Sequence, residues 1–495
     1  MSELQQQRAP APTPNYDAAA RRLMGDAAFA SIVGTLNSGV VLVAFAVYLG
    51  ASSTVIGILA ALPFLTQLLQ VPAVLMLERI RSRRLFAILF LFLARLALPV
   101  IAILEFIPDR RLALTLLVLA ETLHCAFNAM AGCAWNSWMR DLVPEERLGS
   151  FFGRRTVYAT GAGIAGTIIA ALALEYAQPL KGGSGLVFVA LYGLGFIASL
   201  ISTWELSRVP DVPAERRPPQ QNLWRMLVKP LKDANFVRLI RFMASWQFAV
   251  NLAVPFFTVF LIEQLGYSAG FVLLLSLASQ IAHVAVARYW GNLSDRFTNK
   301  SVLAVTAPLF ILCIAAMAFA GESGVPSVTA GYLLLLHILM GFAAAGVTLA
   351  TGAIGLKLAP QGSAHAYVAT NALVTALAAG TAPLLAGIGA EVLRVRELSF
   401  QILWHTPEGK SDIVAFGLSG WQLFFLISAT IGLYALHRLS AVQEHGAIPR
   451  KEMIEHVLNQ ARRGVRNASP VAGLRAAVAF PAGALMQARR SKESD

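Results

Sequence analysis

Twelve stretches of this 495-residue chain are apolar enough, and long enough, to cross a bilayer. About 20 mainly apolar residues span a hydrocarbon core as a helix. The stretches fall at 27–49, 54–77, 85–107, 112–134, 157–176, 185–204, 242–262, 269–290, 302–320, 328–350, 366–390 and 417–436. Polar positions gather in the gaps, most of which are short. Three gaps are longer: a linker at 205–241, a loop at 391–416 and a tail at 437–495. The pattern predicts an all-α membrane protein. Its parts are a tail at 1–26, six helices over 27–204, the linker, six more helices over 242–436, and the final tail.

Composition strengthens that reading. The chain is 57% hydrophobic and 14% charged, against about 25% charged for a soluble domain. The net charge of +13 would suggest nucleic acid in a soluble protein. Here the basic residues are sorted by side. With the N-terminus in the cytoplasm, 33 of the 40 Lys and Arg fall in cytoplasmic segments, Arg288 at a helix end included. The outer loops hold Arg110, Arg111, Lys181, Arg394, Arg396 and Lys410, and Arg95 sits inside the third helix. That bias puts both termini and the basic linker in the cytoplasm, and no nucleic-acid partner is expected. Cys125, Cys133 and Cys313 lie within apolar runs, so neither a disulfide framework nor a thiolate metal site is expected. The first apolar run is too long for the core of a cleavable signal peptide. The tail's apolar stretch between Arg466 and Arg489 is interrupted by Arg475 and Pro481. It suits either a helix on the inner leaflet or a flexible tail.

Two landmarks repeat. Glu78 and Arg79 follow the second helix, and Asp295 and Arg296 follow the eighth, 217 residues from acid to acid. "DLVPEER" follows the fourth helix and "KLAPQGS" the tenth, with Pro144 and Pro360 separated by 216 residues. Six helices per half give both halves the same orientation, the parallel repeat of a two-bundle secondary transporter.

The stretch "GNLSDRFTNKS" resembles the cytoplasmic signature of the major facilitator superfamily, Gly-x-Leu-x-Asp-Arg followed by basic residues. Gly291, Leu293, Asp295, Arg296 and Lys300 match; Thr298 stands where a second glycine is usual. In the first-half copy, Glu78 replaces the acid, Arg79 matches, Arg83 and Arg84 end it, and the leading glycine is missing. The resemblance covers roughly residues 20–440. It implies twelve helices in two pseudo-symmetric bundles. It also implies a central cavity lined by helices one, four, seven and ten, and a gating role for Asp295, Arg296, Glu78 and Arg79. A carboxylate at the cytoplasmic mouth can cap a neighbouring helix, while the arginines pair across the bundle boundary in one access state.

Charged or polar groups at membrane depth usually face a cavity or a partner. Glu121, His124 and Asn128 share one face of the fourth helix. Glu121 lies nine residues past Leu112, about 14 Å deep at 1.5 Å per residue, which is near the midplane. Adding the offset of 216 to 121 lands on His337 in the tenth helix. Glu121 and His337 therefore occupy equivalent places, facing each other across the implied cavity. Further candidates are Asn37, Gln247, Asn251, Gln280, His283 and Asn371, for which hydrogen bonding inside the bundle is the competing role, and Trp246, which could stack on a substrate or belong to the apolar core. Arg95 is expected to pair with Glu121 or with backbone carbonyls. Burial favours a neutral carboxyl and a nearby cation favours the charged one, so Glu121 can take up and release a proton between access states. Gly161, Gly163 and Gly166, with Gly380, Pro383, Gly387 and Gly389, fit close helix contacts and a kink in a moving bundle.

"WHTPEGKSD" ends like a phosphate-binding loop, but Trp404 replaces the first glycine and an outer loop without a preceding strand is expected there. No ATPase engine, enzyme activity, cofactor or metal is therefore expected. The leading reading is a monomeric, proton-coupled secondary transporter of a small, amphipathic or ionic organic solute in a bacterial inner membrane, in contact with membrane lipids. A lipid or lipophilic-compound translocator and a non-transporting sensor on the same fold are the alternatives.

Overall fold

The computed structural model describes residues 16–80, 82–144, 147–177, 183–212, 227–321, 324–359, 364–393, 396–406, 409–444, 451–455 and 457. It has twelve helices long and apolar enough to cross a membrane. The first six are α1 (Asp17–Tyr48), α2 (Ser53–Leu77), α3 (Arg83–Phe106), α4 (Arg110–Leu142), α5 (Leu148–Ala177) and α6 (Gly185–Ser207). The second six are α7 (Ala234–Gln264), α8 (Ala269–Arg296), α9 (Asn299–Met317), α10 (Pro326–Gly355), α11 (Ala366–Leu393) and α12 (Gly420–Ser440). α1 packs on α5 and α6, and α3 on α4 and α6; in the second set α8 and α9 pack on α10, and α7 on α11 and α12. Large apolar side chains such as Val157, Leu172, Leu312 and Leu433 remain exposed on the outer surface, where a bilayer would cover them.

Several helices outrun the apolar stretches that mark them. α1, α5 and α7 begin about ten, nine and eight residues earlier than hydropathy alone indicates. The extensions are amphipathic turns, and in α7 the start is fixed by Asp233, whose carboxylate accepts from the N–H groups of Asn235 (2.9 Å) and Phe236 (3.1 Å). Asp109 caps α4 in the same way.

α1 is not continuous. It runs as two pieces, Tyr16–Asn37 and Gly39–Tyr48, broken at Ser38 in extended conformation, with Gly39 at φ +58°. Glycine enters that left-handed region without the Cβ penalty other residues pay. Asn37 Nδ2 donates to the Val33 carbonyl (2.8 Å) and the Ser38 hydroxyl to that of Gly34. Of the last four carbonyls of the first piece, that of Gly34 is thus met by a side chain, whereas Ser38 makes no side-chain cap for the second piece.

The expected loop at 391–416 is a correction. β1 (Glu397–Thr406) and β2 (Gly409–Ser419) form an antiparallel hairpin, from Glu397 opposite Ser419 to Thr406 opposite Gly409, with a bulge at Phe400/Gln401. A strand does therefore precede "GKS". Another strand follows it rather than a helix, so the phosphate-loop reading still fails. The stretch 466–490 lies outside the described residues.

The two halves meet closely at the end of the bundle away from α1's start and α12's finish. There α2 crosses α11 with glycine against backbone: a Cβ on Gly387 would stand 2.6 Å from the Ser53 carbonyl, and one on Gly57 would overlap that of Pro383. α5 meets α8 likewise, where a Cβ on Gly270 would lie 2.8 Å from the Ala171 carbonyl. The Ser268 hydroxyl donates to Glu175 across the same seam. At the opposite end, where α1 starts and α12 finishes, the same helix pairs splay. A cleft of about 410 Å³ separates α2 from α11, and one of about 390 Å³ separates α1 and α5 from α8.

Candidate functional site

Between the halves lies a cavity of about 460 Å³. α1 contributes its break, Ser38 and Gly39; α2 and α7 contribute Pro63 and Pro255, each inside a helix that its ring must bend. Glu121 enters from α4 and His337 from α10. Both are mostly buried, at 3% and 7% exposure. The two residues that the repeat offset pairs therefore share one chamber. Asn251 and Gln280 also line it, joined by Thr258, Ser276 and Ser279, which hydropathy hid as ordinary small residues of apolar helices. The rest of the wall is aliphatic and aromatic.

The local chemistry of Glu121 is sparse. Its Oε1 accepts from the Cys125 thiol one turn on, at 3.3 Å. His337 places Nδ1 2.8 Å from the Leu333 carbonyl. A carbonyl only accepts, so Nδ1 carries the hydrogen, and in the neutral ring Nε2 is an acceptor.

Other candidates lie elsewhere. Gln247 lines the α2–α11 cleft, and His283 lines the α5–α8 cleft beside Gln280. Trp246 is 4% exposed and packs against Phe310 and Phe242, with ring centroids 5.9 and 6.3 Å away, so it belongs to the core. Asn37 is turned toward Gly195 of α6. Asn371 faces Gly355, and its buried Oδ1 has no partner among the described residues. His124 and Asn128 form a closed relay inside the first half. Nδ1 of His124 donates to the Ala94 carbonyl (2.8 Å) and Nε2 accepts from Asn128 (2.9 Å).

Arg95 does not reach Glu121. Its guanidinium donates to Ser202 Oγ (2.7 Å) and to Thr203, and Ser202 in turn donates to Asp26 Oδ1 (2.7 Å). Arg155 approaches Asp26 from α5 at 3.8 Å and covers the Trp135 ring at 4.5 Å. Asp26 sits one residue before the apolar run that marked α1, which is why it escaped notice. Its spacing of four from Arg22, which pairs with Glu205 at 3.0 Å, is the signal that α1 starts earlier.

At the signature, Asp295 and Arg296 are exposed, and no ion pair links them to the first half among the described residues. The side chains of Glu78 and Arg79 lie outside the described residues. Gly291 has room, the nearest atom to a Cβ there being Leu349 Cδ1 at 3.6 Å. The carboxylate that caps α9 is Glu444, beyond α12, and not Asp295. Glu444 accepts from Lys300 N (2.7 Å) and pairs with Lys357 (3.1 Å), while Lys300 Nζ donates to the carbonyls of Ser440 (3.0 Å) and Val442 (2.6 Å). Thr298, in place of the usual glycine, has φ 174°, extended backbone open to any residue, and its hydroxyl accepts from Ser301 N at 3.1 Å.

Two six-helix halves enclosing a midplane chamber, sealed at one end and split at the other, define a membrane carrier. The Major Facilitator Superfamily profile matches residues 27–383. The chain belongs to that superfamily and is a membrane transporter of its type. Its fold is similar to a mutant form of the nucleoside transporter NupG (14% identity, 86% of this chain and 100% of that one, TM-score 0.66). It is also similar to a bacterial homologue of the iron transporter ferroportin in an inward-facing state (12%, 86% and 99%, 0.63). A third likeness is to a bacterial homologue of the lysosomal transporter Spinster, inward-facing and unoccupied (16%, 78% and 84%, 0.57). None of the curated proteins matches this sequence.

Proposed function

We propose that this protein is a proton-coupled secondary transporter of a small organic solute, working by alternating access in a bacterial inner membrane. The observation that carries the reading is the placement of Glu121 and His337 in one chamber between halves that touch at a single end. With the basic segments in the cytoplasm, the sealed end faces outward and this is the inward-facing state. The exposed, unlatched Asp295–Arg296 pair suits that state, since a cytoplasmic latch belongs to the opposite one. Glu121 is the proton carrier, and Asn251, Gln280 and His337 orient the solute.

The test is transport in reconstituted vesicles, wild type against Glu121→Gln. Solute-dependent proton movement in the wild type that vanishes in the variant is the expected result. Undiminished solute flux in the variant, with no proton signal in either protein, refutes coupling through Glu121.

A further inference from the structure

The central cavity has an unequal charge inventory. Among the described residues of its wall, Glu121 is the one acid, and no Lys or Arg is present. The groups around Glu121 do not supply a cation. On its own helix Cys125 offers a thiol, and His124 is committed to Ala94 and Asn128. From α3, Arg95 points at Ser202 and Thr203. From α6, Tyr192 is buried within electrostatic reach of Glu121, its hydroxyl without a partner among the described residues. From α10, His337 donates its Nδ1–H to the Leu333 carbonyl and, as a neutral ring, offers an acceptor at Nε2. α1, α2, α7 and α8 bring only uncharged groups to the chamber.

A carboxylate at membrane depth with no fixed counter-ion is costly. Its charge must be cancelled by something that arrives. A proton does so by bonding to a carboxylate oxygen; a solute does so by bringing its own positive charge. Both occupy the same oxygens, so they exclude one another.

On the carrier reading above, we infer that Glu121 is a shared site at which one organic monocation displaces one proton, making the protein an electroneutral cation–proton exchanger. The balance is simple: R₃NH⁺ or R₄N⁺ enters as H⁺ leaves the carboxyl. The chamber holds the same net charge in both loaded states, and no bond other than O–H is made or broken. The solute has an apolar body, because apolar residues, Val43, Leu59, Phe64, Phe257, Leu261 and Met340 among them, form most of the wall. The chamber offers it about 460 Å³. Organic anions and phosphate esters are excluded, since they would add to the buried negative charge. With an inward proton gradient the exchange exports the cation.

The experiment is a thermal-stabilisation and binding screen on the purified full-length protein. It uses a panel of aryl-alkyl ammonium ions, each beside its uncharged carbon isostere and a carboxylate analogue of the same size. Proton release is followed with a pH dye, and hits are then tested in vesicles. Monocations alone should bind, each releasing one proton. Their affinity should fall about tenfold per pH unit on the acid side, where the proton occupies the site. Vesicle exchange should follow a pH gradient and ignore a valinomycin-imposed potential. Glu121→Gln should bind no cation. Glu121→Asp, which keeps the carboxylate and controls for misfolding, should retain proton release. Neutral isosteres binding as well as cations, anions binding best, absence of any monocation binding, or flux that follows the potential would each overturn the exchange. Flux of any solute class would still leave the carrier reading standing, whereas no flux of any class would remove that as well.

Discussion

The two halves hold themselves together by different means on one scaffold. Applying the offset of 216 to the buried ionic cluster of the first half, Asp26 corresponds to Phe242, Arg95 to Ile311 and Arg155 to Asn371. Phe242 and Ile311 are fully or almost fully buried in the second half, just as Asp26 and Arg95 are in the first. The same sites are thus filled once by a hydrogen-bonded ion cluster and once by apolar packing. Aromatic contacts are common to both halves: Phe45, Tyr48, Phe188 and Tyr192 cluster where α1 meets α6, and Phe256, Phe257, Phe260, Trp421, Phe424 and Phe425 interlock where α7 meets α12. The comparison teaches that neither chemistry is required by the fold, and that the charge in the first half is a local solution with its own vulnerability.

Breaking the cluster from one side should give the largest effect. Arg95→Met removes the donor of two buried hydrogen bonds, to Ser202 and Thr203, and takes a nearby positive charge from Asp26; at about 1.5–3 kcal/mol for each hydrogen bond to a charged group, a thermal melt in detergent should show a large drop. Converting the whole cluster to its counterpart, D26F with R95I and R155N, should return most of that stability, because apolar replacement of a complete buried ion pair is often neutral or better. A triple variant as unstable as the single one would mean that the halves are not interchangeable. In the second half, Trp246→Ala should cost about 3–4 kcal/mol by leaving a cavity, with no rescue available from a polar partner.

A change at the seam reads motion rather than cohesion. Gly57→Leu cannot fit against Pro383, so the sealed end should open. Distances between spin labels at the outer ends of α2 and α11 should lengthen, with transport lost and the melting temperature little changed. The smallest effect belongs to Glu444→Gln, which keeps one acceptor oxygen at the start of α9 but loses the second, together with the charge that pairs with Lys357. About 0.5–1 kcal/mol is expected, visible as faster amide exchange in the first turn of α9.

Helix number, the midpoint division and the Glu121–His337 pairing were legible in the sequence because hydropathy and repeat spacing are long-range signals. Packing partners were not. Arg95, Trp246 and His124 all scored as polar or aromatic groups at depth, yet each spends its functional atoms on a neighbour in its own half, which only the helix rotations reveal. The break at Ser38–Gly39 was visible as a small-residue pair inside an apolar run, a known site of kinks. β1 was visible as alternation at Leu398, Phe400, Ile402 and Trp404. Thr298 shows the converse: where the signature usually has a second glycine, a threonine is accommodated because the backbone there is extended.

The break in α1 also fixes how wet the empty chamber is. Non-helical backbone is tolerated at this depth only where it is buried in protein or bathed by water, and here Ser38 and Gly39 form part of the chamber wall. Among the backbone groups at the break without a side-chain cap are the amide donors that open the second piece. Such donors are free to bond water or a solute that enters the chamber. Loading the chamber is therefore an exchange of water for solute. The apolar walls should give it a negative heat-capacity change, and a solute carrying a hydrogen-bond acceptor at the right distance should gain by replacing the water held there.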